Sequence, residues 1–264
     1  MRSVVVRGSI SSPKRPGIYV QQCIDSIRTW HTGELILSTW TDQLPAAQGL
    51  VGVDRIVYSD DPGEGPVQQL LRQVMSFYNG VNNVSGDEIM VTRTDMLHFR
   101  DLFELRNSYP KKTVLNLSAF TEKLLIGNMM TIRPGAEIDI SAYRPGDWFH
   151  VGNREDILRM GSVCLDIQQL DYTLIHAQRE RGEICTENLW FRLVLKKYFD
   201  NNLSIYDWKL SDQLAMHAII DNFEVMDTIT TMQSLNLNWS FHPQRLGCYF
   251  SEEQYNEVYK VLCV

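Results

Sequence analysis

The sequence predicts an α/β domain of the doubly wound kind, in which strands and helices alternate along the chain. Over residues 1–95, short buried runs rich in branched side chains alternate with amphipathic helical segments. Three of these strand-like runs end in Asp or Thr-Asp, which would gather acidic residues at one edge of a sheet. The chain has 264 residues and is 44% hydrophobic, enough for one large α/β domain.

The first elements follow in order from these patterns. A β-branched run at residues 4–6 predicts a central strand, and Arg7-Gly8 opens the polar loop after it. Such a loop faces the ligand in nucleotide-binding α/β domains, although no GxGxxG fingerprint is present. Apolar residues recur at helical spacing over 18–30, and residues 34–40 predict the second strand, which Thr41-Asp42 closes.

The next two strands are predicted at residues 54–60, ending in Asp60, and at residues 89–92. Between them, Pro66 fits the first turn of a helix that would run to a break at Asn79-Gly80. The fourth strand stops at Asp95, followed by the start of an amphipathic segment. Because open α/β sheets bind ligands outside the carboxyl ends of their strands, Asp95 is expected at the ligand-binding edge.

The second half of the chain is less regular. Strands are predicted at 113–117, 129–133 and 147–152. Helices are predicted from Arg154, over 185–197 with Thr186 as N-cap, over 212–226, and from Ser251. Neither a repeat nor a linker interrupts the pattern, so the sequence predicts one domain over residues 1–264.

Composition excludes several classes of function. The net charge is −7, from 25 basic and 32 acidic residues, so no basic field is available for nucleic acid. The five cysteines are scattered without a CxxC pair, which indicates neither a disulfide framework nor a zinc site. The N-terminal apolar run is too short for a signal peptide, and no stretch approaches ~18 apolar residues. These observations favour a cytoplasmic protein.

Several segments together resemble the WavE lipopolysaccharide-synthesis family, over a region from residue 3 to about 200. The most specific are Arg93-Thr94-Asp95, at the end of a strand, and the Asp-Trp-Phe-His segment that begins at Asp147. The others are residues 4–10, 35–40, 59–63 and 186–190. The family is similar to a branch of the GT-A glycosyltransferases, which transfer a sugar from a nucleotide-sugar donor.

The resemblance implies a single GT-A-like, Rossmann-type domain with a mixed central sheet flanked by helices. Residues 1–100 would form the nucleotide-binding half and residues 101–264 the acceptor-binding half. The implied reaction moves a sugar, from a UDP-linked donor, to a bacterial surface glycan or lipid-linked glycan acceptor. This would occur in the cytoplasm, with peripheral contact at the inner face of the inner membrane left open.

The resemblance also suggests a divalent cation, Mn²⁺ or Mg²⁺, with Asp95 as one ligand and His242 as a second. Residues 92–95 carry one carboxylate where many GT-A enzymes have the DxD pair, which leaves the metal requirement open. Arg93 is the alternative partner for the diphosphate, as a positively charged fork.

The remaining site residues follow from what glycosyl transfer needs. Candidates for binding the nucleoside are Arg7, Gly8, Thr41, Asp42 and Asp60, although each Asp also fits an ordinary turn.

An inverting reaction needs a carboxylate or His to take the acceptor proton, and here Asp147 and Glu187 compete. Asp147 is the first choice, because bulky residues follow it, whereas the charge of Glu187 in the first turn of a helix is also favourable for structural reasons alone. Strand alternation would put Asp147 and Phe149 on one face and Trp148 and His150 on the other. The sequence does not choose between these faces. Two other readings stay open: a nucleotidyl- or phosphotransferase, and a non-catalytic sugar- or nucleotide-binding protein.

Overall fold

A computed structural model describes residues 1–11, 18–63, 65–113, 115–127, 145–180, 185–205, 212–226 and 234–236. The predicted strand at 129–133 and the helix from Ser251 lie outside these ranges, as does His242. Among the described helices, none has both the length and the apolar character that crossing a bilayer requires.

The described strands are β1 (Arg2–Arg7), β2 (Glu34–Trp40), β3 (Arg55–Ser59), β4 (Glu88–Arg93), β5 (Met96–His98), β6 (Leu124–Gly127), β7 (Phe149–Asn153), β8 (Phe223–Met226) and β9 (Ser234–Asn236). The described helices are α1 (Ile18–Arg28), α2 (Leu44–Ala47), α3 (Pro66–Asn82), α4 (Leu102–Asn107), α5 (Arg154–Gly161), α6 (Cys164–Ile167), α7 (Tyr172–Glu180), α8 (Thr186–Tyr198) and α9 (Asp212–Asn222).

Seven strands form one mixed sheet in the order β3-β2-β1-β4-β7-β6-β8. The first four are parallel, β7 is antiparallel to both its neighbours, and β6 pairs in parallel with β8. Strand β2 lies on one side of β1, and β4 lies on its other side. The carboxyl ends of β1 and β4 therefore flank a topological switch point, where open α/β sheets bind ligands.

Helices cover both faces of the sheet, since its central strands are apolar on both sides. Val5 and Val91 pack in a core with α3, α5 and α8, whereas Val4 and Val6 pack on the opposite face against α1 and α4. This alternation of neighbouring side chains is what two covered faces require. The fold-class prediction, an α/β domain with a mixed central sheet flanked by helices, is confirmed.

The first half follows the sequence prediction closely, apart from two details. The break predicted at Asn79-Gly80 was wrong, because α3 continues to Asn82. The segment after Asp95 begins with β5, a short strand that pairs with β9, before α4 starts.

Three predictions in the second half were wrong. Residues 113 and 115–117 form no strand: the Asp221 carboxylate accepts the N–H groups of Leu115 and Leu117, so these groups join no sheet. The helix predicted over 212–226 ends at Asn222, and the buried run after it pairs with β6 as β8. Helix α8 is capped by Cys185 rather than Thr186.

Candidate functional site

A cavity of about 300 Å³ opens at the carboxyl ends of β1 and β4. Arg7 closes β1, Arg93 closes β4, and Asp147 precedes β7, which is paired with β4. Helix α3 forms the opposite wall with a set of polar side chains. The wall residues from α3 are Gln69, Arg72, Gln73 and Ser76. Three arginines and one carboxylate therefore face the same space.

Arg93 joins two buried carboxylates at the centre of this site. Its Nε and Nη2 donate to the two oxygens of Asp95 at 3.0 and 2.9 Å, a bidentate pair. Its Nη1 donates to both oxygens of Asp147, at 3.1 and 3.3 Å. Burial alone would lower the pKa of Arg93, but the carboxylates of Asp147 and Asp95 raise it above its ordinary value. The guanidinium is thus held charged and in a fixed orientation.

Arg7 lies deeper and is almost fully enclosed. Its Nη2 donates to the backbone oxygen of Asp147 at 3.2 Å, and its guanidinium carbon lies 5.9 and 5.6 Å from the ring centroids of Phe77 and Trp190. Burial lowers the pKa of Arg7 to about 10, against the opposing effect of Asp147. Arg7 is therefore cationic at neutral pH and fixed by aromatic contacts.

Asp147 reaches the cavity because it lies before the regular strand. The segment predicted as strand from residue 147 begins only at Phe149, so strict alternation does not apply to Asp147. Burial tends to raise the pKa of Asp147, but Arg93 and Arg7 outweigh it and hold the pKa below its ordinary value. The neighbouring Trp148 and His150 are buried in the core instead of lining the cavity.

The loop after β1 lets backbone approach the cavity. Gly8 has φ of +118°, a conformation that side chains disfavour, and its N–H donates to the backbone oxygen of Ser38. Thr94 fastens this loop to the end of β4, since its hydroxyl donates to the backbone oxygen of Ser9 at 2.9 Å. Both loops that carry site residues are thus tied to each other.

Arg72 is a site residue that the sequence analysis missed. It forms a two-point ion pair with Asp61, with Nε donating to Oδ1 at 2.6 Å and Nη2 to Oδ2. The signal was available in the helix pattern: Gln69, Arg72, Gln73 and Ser76 recur at three- and four-residue spacing, so they share one polar face of α3. Asp61 follows β3, and its Oδ1, which accepts from Arg72, also accepts the backbone N–H of Gly63.

The structure brings together some of the predicted residues and leaves others apart. Arg7, Gly8, Arg93 and Asp147 line the cavity, and Asp95 lies directly behind Arg93. Glu187, in the first turn of α8, is close enough to influence the charge of both Arg7 and Arg93. The remaining nucleoside-binding candidates are exposed just beyond β2 and β3 and are not part of this lining. They are Thr41, Asp42 and Asp60.

Comparison with known protein families adds one result to this geometry. Residues 2–228 match the family described as "WavE lipopolysaccharide synthesis", which is most of the chain. The chain belongs to the WavE family. No curated protein matches its sequence at a significant level. The predicted family resemblance is therefore confirmed, and with it a place for this WavE-family chain in lipopolysaccharide synthesis.

Solved structures show only a distant likeness to this WavE-family chain. HddC from Yersinia pseudotuberculosis aligns with TM-score 0.37 and 10% identity, over 60% of this chain and 78% of HddC. The same protein complexed with GMP-PN gives a TM-score of 0.36. The glycosyltransferase GlyE of Streptococcus pneumoniae TIGR4 gives 0.39 and 14% identity, over 76% of this chain and 44% of GlyE. At such TM-scores these likenesses carry no argument about function.

The divalent cation expected at Asp95 and His242 stays a prediction, since His242 lies outside the described residues. Among the described residues no group of three or more His, Cys, Asp or Glu side chains could hold a metal ion. Both oxygens of Asp95 already accept N–H groups from Arg93. The described ligand thus fits a cation poorly, and its oxygens serve a guanidinium.

Proposed function

We propose that the protein is a glycosyltransferase that takes a sugar from a nucleoside diphosphate donor and adds it to a bacterial surface glycan. UDP-linked sugars are the first donors to test. The observation that carries this proposal is the cavity at the switch point, whose wall presents Arg7, Arg72 and Arg93 together. Guanidinium forks match phosphate geometry and stay charged, so three of them suit a diphosphate. Family membership supplies the glycan context.

The leaving diphosphate is the chemical reason for this charge. When the bond from the anomeric carbon to the diphosphate oxygen breaks, negative charge builds on the diphosphate. Cationic donors already aimed at that position stabilise the transition state without reorganisation. Arg93 and Arg72 are each held by a carboxylate, Asp95 and Asp61 respectively. They would therefore meet the developing charge in a fixed orientation.

The acceptor hydroxyl must lose a proton as it attacks. We propose that one of the two carboxylates near the arginines, Asp147 or Glu187, takes this proton in an inverting reaction. The nucleoside would extend from the diphosphate along α3, where the Gln73 side-chain oxygen is buried and has no hydrogen-bond partner in the part of the chain that the structure describes. Thr41, Asp42 and Asp60 stay predictions for this half of the donor.

A screen of nucleotide sugars tests the proposal. Purified full-length protein is incubated with UDP-, GDP- and CMP-linked sugars, and both thermal stabilisation and release of free nucleotide are measured. We expect the UDP- or the GDP-linked sugars to stabilise the wild type and to be slowly hydrolysed, and the CMP-linked sugars, which carry a single phosphate, to do neither. Arg72→Gln should weaken this effect, whereas Arg100→Gln, an exposed arginine outside the cavity lining, should not. Stabilisation without hydrolysis or transfer would favour a non-catalytic binder, and pyrophosphate exchange would favour a nucleotidyltransferase.

A further inference from the structure

The arginines of the site are paired with carboxylates, and this pairing affects how a diphosphate could bind. Resting on the proposed function, we infer that the donor diphosphate binds directly to arginine side chains without a bridging divalent cation. In this arrangement Arg93 occupies the position beside Asp95 that a cation would need.

The first support is the saturation of Asp95 by Arg93. A carboxylate binds Mg²⁺ or Mn²⁺ through an oxygen lone pair at about 2.0–2.2 Å. Both Asp95 oxygens instead receive N–H groups at 2.9–3.0 Å, and the side chain is fully buried. A cation placed there would also sit against the positive guanidinium. Cation binding would therefore require Arg93 to leave Asp95.

The second support is the free-energy cost of moving Arg93 away from Asp95. The same guanidinium also bonds both oxygens of Asp147, which is only 3% exposed. If Arg93 moved, two buried carboxylates would lose their main partner at once. The Arg93 guanidinium thus bridges the carboxylates of Asp95 and Asp147, which is the role that a metal ion between two carboxylates would have.

The third support is the set of N–H donors that the wall presents. Three guanidinium groups and one carboxylate line the cavity, while Asp61 and Asp95 lie outside its lining and orient the arginines. A guanidinium carries five N–H donors, and Arg93 uses three nitrogens on two carboxylates, so it retains donors for phosphate oxygens. The carboxylates of Asp61, Asp95 and Asp147 balance the three guanidinium groups, so the wall would bind phosphate oxygens through N–H donors held in fixed orientations.

Titration calorimetry with and without metal tests the inference. Inorganic pyrophosphate and UDP are each titrated into full-length protein in EDTA and, separately, in MnCl₂. We expect binding in EDTA to be at least as tight as in MnCl₂, because Mn²⁺ also complexes the free ligands. Arg93→Lys keeps the charge but loses the fork, and it should weaken both ligands by roughly tenfold or more in either buffer. Circular dichroism melting checks that the variant is folded, and Arg100→Gln is the matched control.

The outcomes separate the inference from the proposed function. Tight binding in MnCl₂ with loss of tenfold or more in EDTA would overturn the inference and leave the glycosyltransferase proposal intact. Pyrophosphate bound in EDTA, with no nucleotide bound in either buffer, would support the inference and overturn the proposed function. Binding of neither ligand would overturn both. Asp95→Asn adds a second test: equal weakening in both buffers supports the inference, whereas loss of a Mn²⁺-dependent gain contradicts it.

Discussion

Asp147 and Glu187 lie in different electrostatic surroundings, and this difference separates their roles. Asp147 is buried, bonded to Arg93 and Arg7, and its pKa is held low, which makes it a weak proton acceptor. Glu187 is partly exposed in the first turn of α8, and its charge acts on both Arg7 and Arg93. We therefore propose that Asp147 orients the arginines and that Glu187, rather than the Asp147 that the sequence favoured, removes the proton.

Steady-state kinetics of two amide variants test this assignment. Asp147→Asn should raise KM for the donor roughly tenfold, because Arg93 loses part of its anchoring. Glu187→Gln should lower kcat by about 10²-fold or more and leave the donor KM unchanged. The reverse pattern would make Asp147 the base.

Two buried histidines should make folding stability depend on pH. Burial lowers the pKa of His98 and of His150 to about 3, and both His150 ring nitrogens are buried without a hydrogen-bond partner among the described residues. The unfolded chain takes up these protons near pH 6.5, well before the folded protein does. Stability is therefore complete above pH 6.5 and is lost as the pH falls toward 3.

Urea unfolding at pH 7 and pH 5 measures this effect. Each histidine should cost about 2 kcal/mol of unfolding free energy between these values. His150→Phe keeps an aromatic ring against Phe77 and Trp190, so it should lose its share of the pH dependence and be no less stable at pH 7. An unchanged slope in the variant would show that His150 is not the titrating group.

The sequence predicted several residues of the candidate site but not the ion pairs that these residues form. Arg7, Arg93, Asp95 and Asp147 could be predicted because each flanks a buried strand at the expected edge. Their pairing could not, since Asp147 meets Arg93 only through the antiparallel register of β7 on β4. The pairing matters most, because it converts Asp95 from an expected metal ligand into a counter-ion.

Among the elements, α3 controls the shape of the cavity. It carries Arg72 and crosses β1 and β2 so closely that a methyl group at Gly80 would lie 2.4 Å from Val5 and 3.0 Å from Ser38. This close approach, rather than a helix break, explains the glycine. Close packing at Gly80 therefore helps to set the position of α3 and, with it, of the cavity wall.

Gly80→Ala should move α3 away from the sheet. We expect about 1–3 kcal/mol of destabilisation in urea unfolding, together with weaker donor binding because Arg72 shifts. Gly49→Ala is the matched control, since a methyl group there meets nothing within 4 Å. Full stability and full donor binding in Gly80→Ala would show that the packing of α3 is not tight.

The element boundaries also show where local pattern fails. The buried run Phe223–Met226 has no helix-breaking residue before it, so sequence pattern alone extends the helix. The strand forms because β6 offers a parallel edge and the side chains are buried on both sides. Conversely, residues 115–117 resemble a strand but find side-chain partners in Asp221. Tertiary contacts decided both cases.

For the whole molecule, the central claim is that a chain with a net charge of −7 concentrates arginines at one place, the switch point of its sheet. The alternation of strands and helices predicted that edge, and the parallel strands β1 and β4 create it. A second cavity, of about 350 Å³ between α6 and α8, has a described lining of three apolar residues, two lysines, Asp166, Gln169 and Asn201, with no arginine among them. We therefore expect a nucleotide to bind in the cavity at the switch point and not in the cavity between α6 and α8.

A crystal structure with bound UDP tests this claim most directly. We expect the diphosphate in the cavity at the ends of β1 and β4, with phosphate oxygens about 3 Å from the guanidinium groups of Arg72 and Arg93. Diphosphate density elsewhere on the protein, including the cavity between α6 and α8, would contradict the claim.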